Sequence, residues 1–284
     1  LDYHGSMQAY ASAKAKLFQM PDLRVASLNL DDDFGVQLHE QIDSKVTVYT
    51  YGFHAQAQVQ CTRLDLSASG MLLSLSTPWG DGVLQSSMLG RFDAYNMLAV
   101  LTALLASGIA FADALQALQA VKPALGRMQT VGEGQPLVVV DYAHTPDALQ
   151  KALQTLKEML PEQGRLWCVF GCGGDRDKGK RPLMGQIANE LADELILTDD
   201  NPRTENPHDI LAQIAQAAPS ARQIPARDLA IKAAISQAAK QDIILIAGKG
   251  HETYQEIKGV KLPFDDVQHA IDALAHREQG VLHA

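Results

Sequence analysis

The chain has 284 residues, 46% apolar and 20% charged, with 21 Gly and 12 Pro, which excludes a disordered, collagen-like or coiled-coil protein. At roughly 100–200 residues per domain, this length predicts two domains. A net charge of −9 argues against a general nucleic-acid or anionic-membrane binder, and no run nears the roughly 18 apolar residues of a membrane span, so a soluble protein is expected.

In chain order, residues 5–18 predict a helix, with Met7, Tyr10, Ala11 and Leu17 at helical spacing. RVASLNLDDDFG (24–35) predicts a short buried strand delivering an acidic turn. KVTVYTYG, AQVQCTRLDL, GMLLSLST and GVLQSSML follow as four β-rich runs with turn-like gaps, the spacing of hairpins or a meander. From Arg91 the pattern becomes helical, in FDAYNMLAVLTALLASG and then FADALQALQAV. The texture changes again at Lys122-Pro123, and a domain boundary is placed there, giving domains 1–123 and 124–284.

Beyond it strands and helices alternate. PLVVVDYA precedes a helix from Pro146, RLWCVFG one from Pro182, and ELILTDD one near 207–217; the strand DIILIAG precedes the last helical stretch. Such alternation predicts a mainly parallel sheet with crossover helices, in which ligands bind beyond the carboxyl ends of the strands. The tails of these strands read DYAHTPD, GCGGDRDKGKR, TDDNPR and AGKGHETYQ, the polar and Gly-rich parts of the domain. The three cysteines, odd in number and set in apolar runs, argue against a disulfide framework and for a reducing cytoplasm. Leu1 is not a start methionine and the opening segment has no signal-peptide pattern, so a fragment of a longer chain is expected.

Each tail alone has an ordinary reading: a solvated glycine loop for 171–181, which lacks the G-x-G-x-x-G dinucleotide spacing, an Asn-Pro turn for 198–203, a Gly turn for 247–255, and a helix cap for Asp141. Their combination and order is more specific. DYAHTPDAL, GCGGDRDKGKRP, TDDNPR and GKGHE resemble the C-terminal domain of the Mur ligases, nearest to the branch that adds meso-diaminopimelate to UDP-N-acetylmuramoyl-L-alanyl-D-glutamate. Upstream, LDYHGSMQAYASAKAKLF, LNLDDDFG and LGRFDAYNMLAV resemble segments of that family's central domain. The implied fold is α/β, a partial central domain followed by a Rossmann-like C-terminal domain with a mainly parallel sheet.

The resemblance implies an ATP-dependent amide ligase that turns a carboxylate into an acyl phosphate, which the incoming amine then attacks. Cations and metal placed where negative charge develops would stabilise that transition state. Position by position it implies Lys14 as the carbamylated lysine that helps hold Mg2+, Asn96 at the adenine, Arg127 at the phosphates or ribose, and Asp141 at the ribose hydroxyls, with Tyr142 and His144 close by. Without the resemblance Lys14 reads as a surface lysine. Diaminopimelate recognition maps onto Arg176, Asp200, Asn201, Arg203, Gly248 and Glu252. Arg203 would offer a planar fork to the distal carboxylate, and Glu252 with the Gly248 carbonyl would accept from the ammonium. A buried Arg203 left unpaired by lysine predicts discrimination on the order of 10⁴-fold.

The sequence departs from the family pattern in three places. No G-T-N-G-K-T/S type phosphate loop occurs, so the chain alone is expected not to phosphorylate its substrate. Asp93 stands where the family has asparagine, and Gln129 where it has glutamate. Alternatives are a folylpolyglutamate synthetase-like ligase, a lysine-adding Mur ligase, and a non-catalytic amino-acid-binding module; a dinucleotide-dependent oxidoreductase fits least. Oligomeric state is unreadable, with monomer as the default.

Overall fold

The computed structural model describes residues 6–67, 69–132 and 136–281, with side chains to 277, in two compact units, Leu1–Lys122 and Pro123–Ala284. Residues 1–5, including the first residue of the helix expected over 5–18, lie outside the described residues.

In the first unit, α1 (Met7–Ala15) is capped by Ser6, whose hydroxyl accepts from Ala9 N at 3.1 Å, and runs into a single 3₁₀ turn. None of its residues is buried. β1 (Val25–Asn29) follows, then α2 (Asp33–Gln41), started by the Asp32 carboxylate accepting from Gly35 N. The strands β2 (Thr47–Gly52), β3 (Val59–Ser67), β4 (Gly70–Thr77) and β5 (Gly80–Ser86) complete a sheet of order β1-β2-β3-β4-β5. β3, β4 and β5 form the expected meander, but β2 and β3 are parallel. The two overlap over only two residue pairs, Tyr51↔Val59 and Gly52↔Gln60. A staggered overlap this short needs no long crossover, so a short loop suffices where full parallel pairing would require a dozen residues. α3 (Gly90–Ala106) and α4 (Phe111–Gln119) close the unit. Met97, Leu98, Leu101 and Leu105 of α3 pack on the buried faces of β3 to β5 in one apolar cluster.

The second unit holds β6 (Gln129–Val131), β7 (Leu137–Asp141), α5 (Pro146–Glu158), β8 (Leu166–Phe170), α6 (Lys180–Leu191), β9 (Glu194–Leu197), α7 (Pro207–Ala215), β10 (Arg222–Gln223), α8 (Arg227–Gln237), β11 (Ile243–Ala247), β12 (Tyr254–Ile257), β13 (Val260–Pro263) and α9 (Asp266–Val281). α5 and α7 start as their sequences predict, with Pro at the first position behind the capping side chains of Thr145 and Asn206. α6 begins at Lys180, two residues before the expected Pro182, because proline is tolerated throughout the first turn.

The main sheet has the order β10-β9-β8-β11-β7-β6, parallel except where the edge strand β6 pairs with β7. β8 and β11 lie at its centre, and every residue of both is buried. This is why they read as unbroken apolar runs rather than alternating ones. β11, the last strand of this sheet in sequence, inserts between β8 and β7. Their carboxyl ends therefore part at a topological switch point, where open α/β sheets bind ligands. The alternating fold class holds. The edge strand β6, the hairpin β12–β13, the short β10 and the helix α8 are additions that the four-strand reading did not contain.

Candidate functional site at the strand ends of the second unit

Beyond the carboxyl ends of β7, β8, β9 and β11, two clusters of polar side chains meet at Gly248. The first is built on Asp141, the last residue of β7. Its carboxylate accepts from Met128 N and Ala143 N, each at 2.8 Å. Burial holds its carboxyl above the usual carboxylate range, opposed by those two backbone donors and by the Arg127 guanidinium. Arg127 is exposed, its guanidinium carbon 5.9 Å from the Tyr142 ring centroid. The Tyr142 ring also sits 4.5 Å from that of His144 and 5.3 Å from that of His251. Gly126 and Gly250 allow this crowding: a Cβ on Gly126 would stand 2.1 Å from His251 N, and both glycines have positive φ.

Gly248 joins this cluster to the next. Its N–H donates to the Asp141 carbonyl at 3.1 Å, and at φ +114° a Cβ there would stand 3.2 Å from Asp200 Oδ2. The second cluster comes from TDDNPR and GKGHE. Asn201 is almost fully buried; its Nδ2 donates to Glu252 Oε2 at 2.8 Å, and its Oδ1 accepts from Glu256 N at 2.9 Å. Asp200 is also buried, and its carboxyl is raised by desolvation and by Glu252 and Asp266, against the pull of Arg227 and Lys249.

Arg203 adopts a left-handed backbone, φ 51°, and is stitched to β12: its N–H donates to the Glu256 carbonyl and its own carbonyl accepts from Lys258 N. Its guanidinium donates to the Gly174 carbonyl at 2.7 Å and pairs with Glu256 at 3.4 Å. This corrects the selectivity argument above. Arg203 is 19% exposed and has protein partners, so a substrate without a second carboxylate does not strand an unpaired buried cation. The expected penalty falls to one charge-assisted bond, about 1.5–3 kcal/mol or roughly 10- to 150-fold.

Arg176 lies exposed on the loop after β8, donating to the Asp175 carbonyl. That loop and the DNPR turn are tied together underneath. Arg181, fully buried, clamps Glu205 with two bonds at 2.9 and 3.0 Å and also donates to Gln213 and the Gly173 carbonyl. Glu205 accepts from Asp175 N, and the Asp175 carboxylate accepts from Thr204. The Arg181 bond pulls Glu205 down to about 2.

The structure thus brings Asp200, Asn201, Arg203, Gly248 and Glu252 into one cluster, with Asp141 and Arg127 in the adjoining one. Lys14 and Asn96 belong to the first unit. Asn96 is exposed and makes a 3.4 Å contact to Asp93. Lys14 is exposed on α1, its ammonium 4.9 Å from the Tyr10 ring centroid. Among the described residues no group of three or more His, Cys, Asp or Glu is placed to hold a metal ion. Sequence reasoning missed Lys249, Glu256 and the Arg181–Glu205 clamp. A lysine between two glycines straight after five apolar strand residues was a usable signal, since that position lies inside the crevice.

Known proteins resemble the chain over both units. Residues 1–104 match the Mur ligase middle domain, and residues 126–250 match the Mur ligase, glutamate ligase domain. The UDP-N-acetylmuramoyl-L-alanyl-D-glutamate--2,6-diaminopimelate ligase of Neisseria meningitidis serogroup A is 48% identical over 98% of this chain and 58% of its own length. The ligase of that name from Pseudomonas aeruginosa is 51% identical over 97% of this chain and 57% of its own. A solved structure of a ligase of this name superposes with a TM-score of 0.73 at 42% identity, over 97% of this chain and 58% of that one. A folylpolyglutamate synthase from Mycobacterium tuberculosis shares the fold alone, at 19% identity and a TM-score of 0.63. The chain spans a little over half the length of the curated relatives it matches. With both Mur ligase domain models matched in order across most of its length, the chain belongs to the Mur ligase family.

Proposed function

We propose that this chain is the ATP- and amino-acid-handling part of a ligase that joins meso-diaminopimelate to UDP-N-acetylmuramoyl-L-alanyl-D-glutamate, in peptidoglycan precursor synthesis. On this reading residues 1–123 belong to the ATP-binding central domain and 124–284 form the amino-acid-binding domain. ATP phosphorylates the acceptor's terminal carboxylate, and the amine of diaminopimelate attacks the resulting acyl phosphate and displaces phosphate. Asn96, Arg127 and Asp141 take the nucleotide. A cytoplasmic, monomeric protein goes with this assignment, and the three cysteines, all buried and unpaired, suit a reducing compartment.

The observation that carries the reading is the pairing of opposite charges in one crevice. Meso-diaminopimelate has a carboxylate and an ammonium on its distal carbon, whereas lysine has the ammonium alone. Arg203 and Arg176 supply forks for carboxylates, while Asp200, Glu252 and the Gly248 carbonyl supply acceptors for an ammonium. Asp200, Asn201 and Glu252 are already held together, so little ordering remains to be done on binding.

The test is a titration of the 284-residue chain with meso-diaminopimelate, L-lysine and L-glutamate, followed through backbone amide NMR signals. Saturable shifts at Arg203, Gly248 and Glu252 are expected with meso-diaminopimelate, at least tenfold weaker with L-lysine. An equal response to L-lysine, a preference for L-glutamate, or no response overturns the assignment.

A further inference from the structure

Lys249 is the one lysine among the described residues whose side chain is fully buried. It directly follows Gly248, after a strand whose five residues are all buried. Its ammonium has three N–H donors to place. They face Asn201 Oδ1 at 2.9 Å, Glu252 Oε2 at 3.3 Å and Asp200 Oδ1 at 3.6 Å. The Tyr254 ring centroid lies 5.7 Å away. A fully buried ammonium is costly unless paired and hydrogen-bonded, and here every partner is also a residue of the amino-acid cluster.

We infer that Lys249 is a positioning residue for the amino-acid site: its buried ammonium fixes the Asn201 amide and holds the Asp200 and Glu252 carboxylates in place for an incoming ammonium. The inference rests on the proposed amino-acid site but names a residue outside its contact set. Two features give it content. First, Asn201 Oδ1 receives both Lys249 Nζ and Glu256 N, which forces Nδ2 toward Glu252; the amide has one orientation that satisfies all three neighbours. Second, one lysine faces two carboxylates, which leaves about one negative charge for a ligand ammonium to neutralise. Without Lys249 the buried Asp200 carboxylate would lose a cation that opposes its desolvation and the repulsion from Glu252, which favours its protonated form. The other charged groups acting on Asp200 are Arg227, which favours its ionised form, and Asp266, which opposes it. Glu256 lies alongside, engaged with Arg203.

The test uses Lys249→Met, close in shape and without charge, in the 284-residue chain. Carbon-13 titration of the Asp200 carboxyl needs no ligand, and its midpoint should rise by about one pH unit or more on loss of a cation at this distance. Affinity for meso-diaminopimelate should fall at least tenfold, with its acidic limit moving up in pH in step with the Asp200 midpoint. An unchanged Asp200 midpoint, or wild-type affinity in the variant, overturns the inference. Absence of meso-diaminopimelate binding in the wild type, with the midpoint still shifted, overturns only the substrate assignment. Should Lys249→Met fail to fold, Lys249→Gln repeats the measurement. Should both fail, the wild-type side-chain amine signal decides: a slowly exchanging charged ammonium at Lys249 supports the inference, and a neutral or rapidly exchanging amine overturns it.

Discussion

Replacing Arg227 by methionine tests whether the strand ends that carry the site are held by a buried ion pair. Arg227 opens α8 and Asp266 opens α9, and neither side chain is exposed. The guanidinium grips the carboxylate through two bonds of 2.7 Å. It also donates to the carbonyls of Ala247, at the end of β11, and Asp199, just after β9, at 2.9 and 3.4 Å. Arg227→Met leaves Asp266 buried without its bidentate counter-charge and removes a donor from both carbonyls. Breaking a buried pair from one side costs about 3–5 kcal/mol, because the remaining charge stays desolvated. For a unit of this size that is a fall in midpoint temperature of roughly 10 °C. The double variant Arg227→Met/Asp266→Leu removes the stranded charge and should recover most of the loss. Guanidinium unfolding followed by tryptophan fluorescence reads this directly in a Trp79→Phe background, since Trp167 in β8 is then the sole fluorophore of its kind and reports the second unit. A single-variant loss below about 1 kcal/mol would refute the argument. A double variant as damaged as the single would show that packing, not uncompensated charge, sets the cost.

The clamp under the loops should show in acid. Arg181 holds Glu205 at about 2, below the ordinary value near 4.3, so its contribution is complete above pH 4.3 and lost as pH falls toward 2. Glu205→Gln should therefore lie below wild type in stability at pH 7 and converge with it near pH 2; a constant gap across that range would exclude the ionic origin. Asp199 has the opposite sign: burial raises it to about 6, so the folded chain binds its proton more tightly than the unfolded one, and stability declines as pH rises from about 4 to about 6. Asp199→Asn should be more stable than wild type at pH 7 but not at pH 4, and a gain of equal size at both would contradict the assignment. Gly171→Ala places a Cβ 2.0 Å from the Thr198 carbonyl oxygen, and a loss of about 3 kcal/mol is expected from the forced separation of the β8 and β9 tails. Chemical denaturation checks it, and a change within about 0.5 kcal/mol would mean that the two tails separate at little cost.

Much of the second unit was legible because its signals are local. Unbroken apolar runs marked β7, β8 and β11, and helices were expected from Pro146 and near 207–217, where α5 and α7 lie. The hairpin β12–β13 was not legible, since all of β13 is exposed and carries no burial pattern. Nor was the parallel pairing of β2 with β3, which depends on stagger rather than on composition. At the site, the sequence marked the Gly-rich and charged tails but could not assign their partners.

The sequence by itself determined the alternation of strands and helices, the change of texture at Lys122-Pro123, and the strand tails that bear the polar residues. Burial periodicity, proline and capping residues act within a few positions, so each leaves its mark on the chain in order. Only the tertiary structure decided that Arg203 is latched by Glu256 and Gly174, and that Lys249 is buried against Asp200, Asn201 and Glu252. Lys249 and Asn201 lie 48 residues apart in the chain, and insertion of β11 between β7 and β8 brings its Gly-Lys-Gly tail into the crevice beside the DNPR turn. Whether a charged residue is a solvated surface group or a fixed part of a site depends on which strand ends become neighbours, and strand order is a property of the folded sheet.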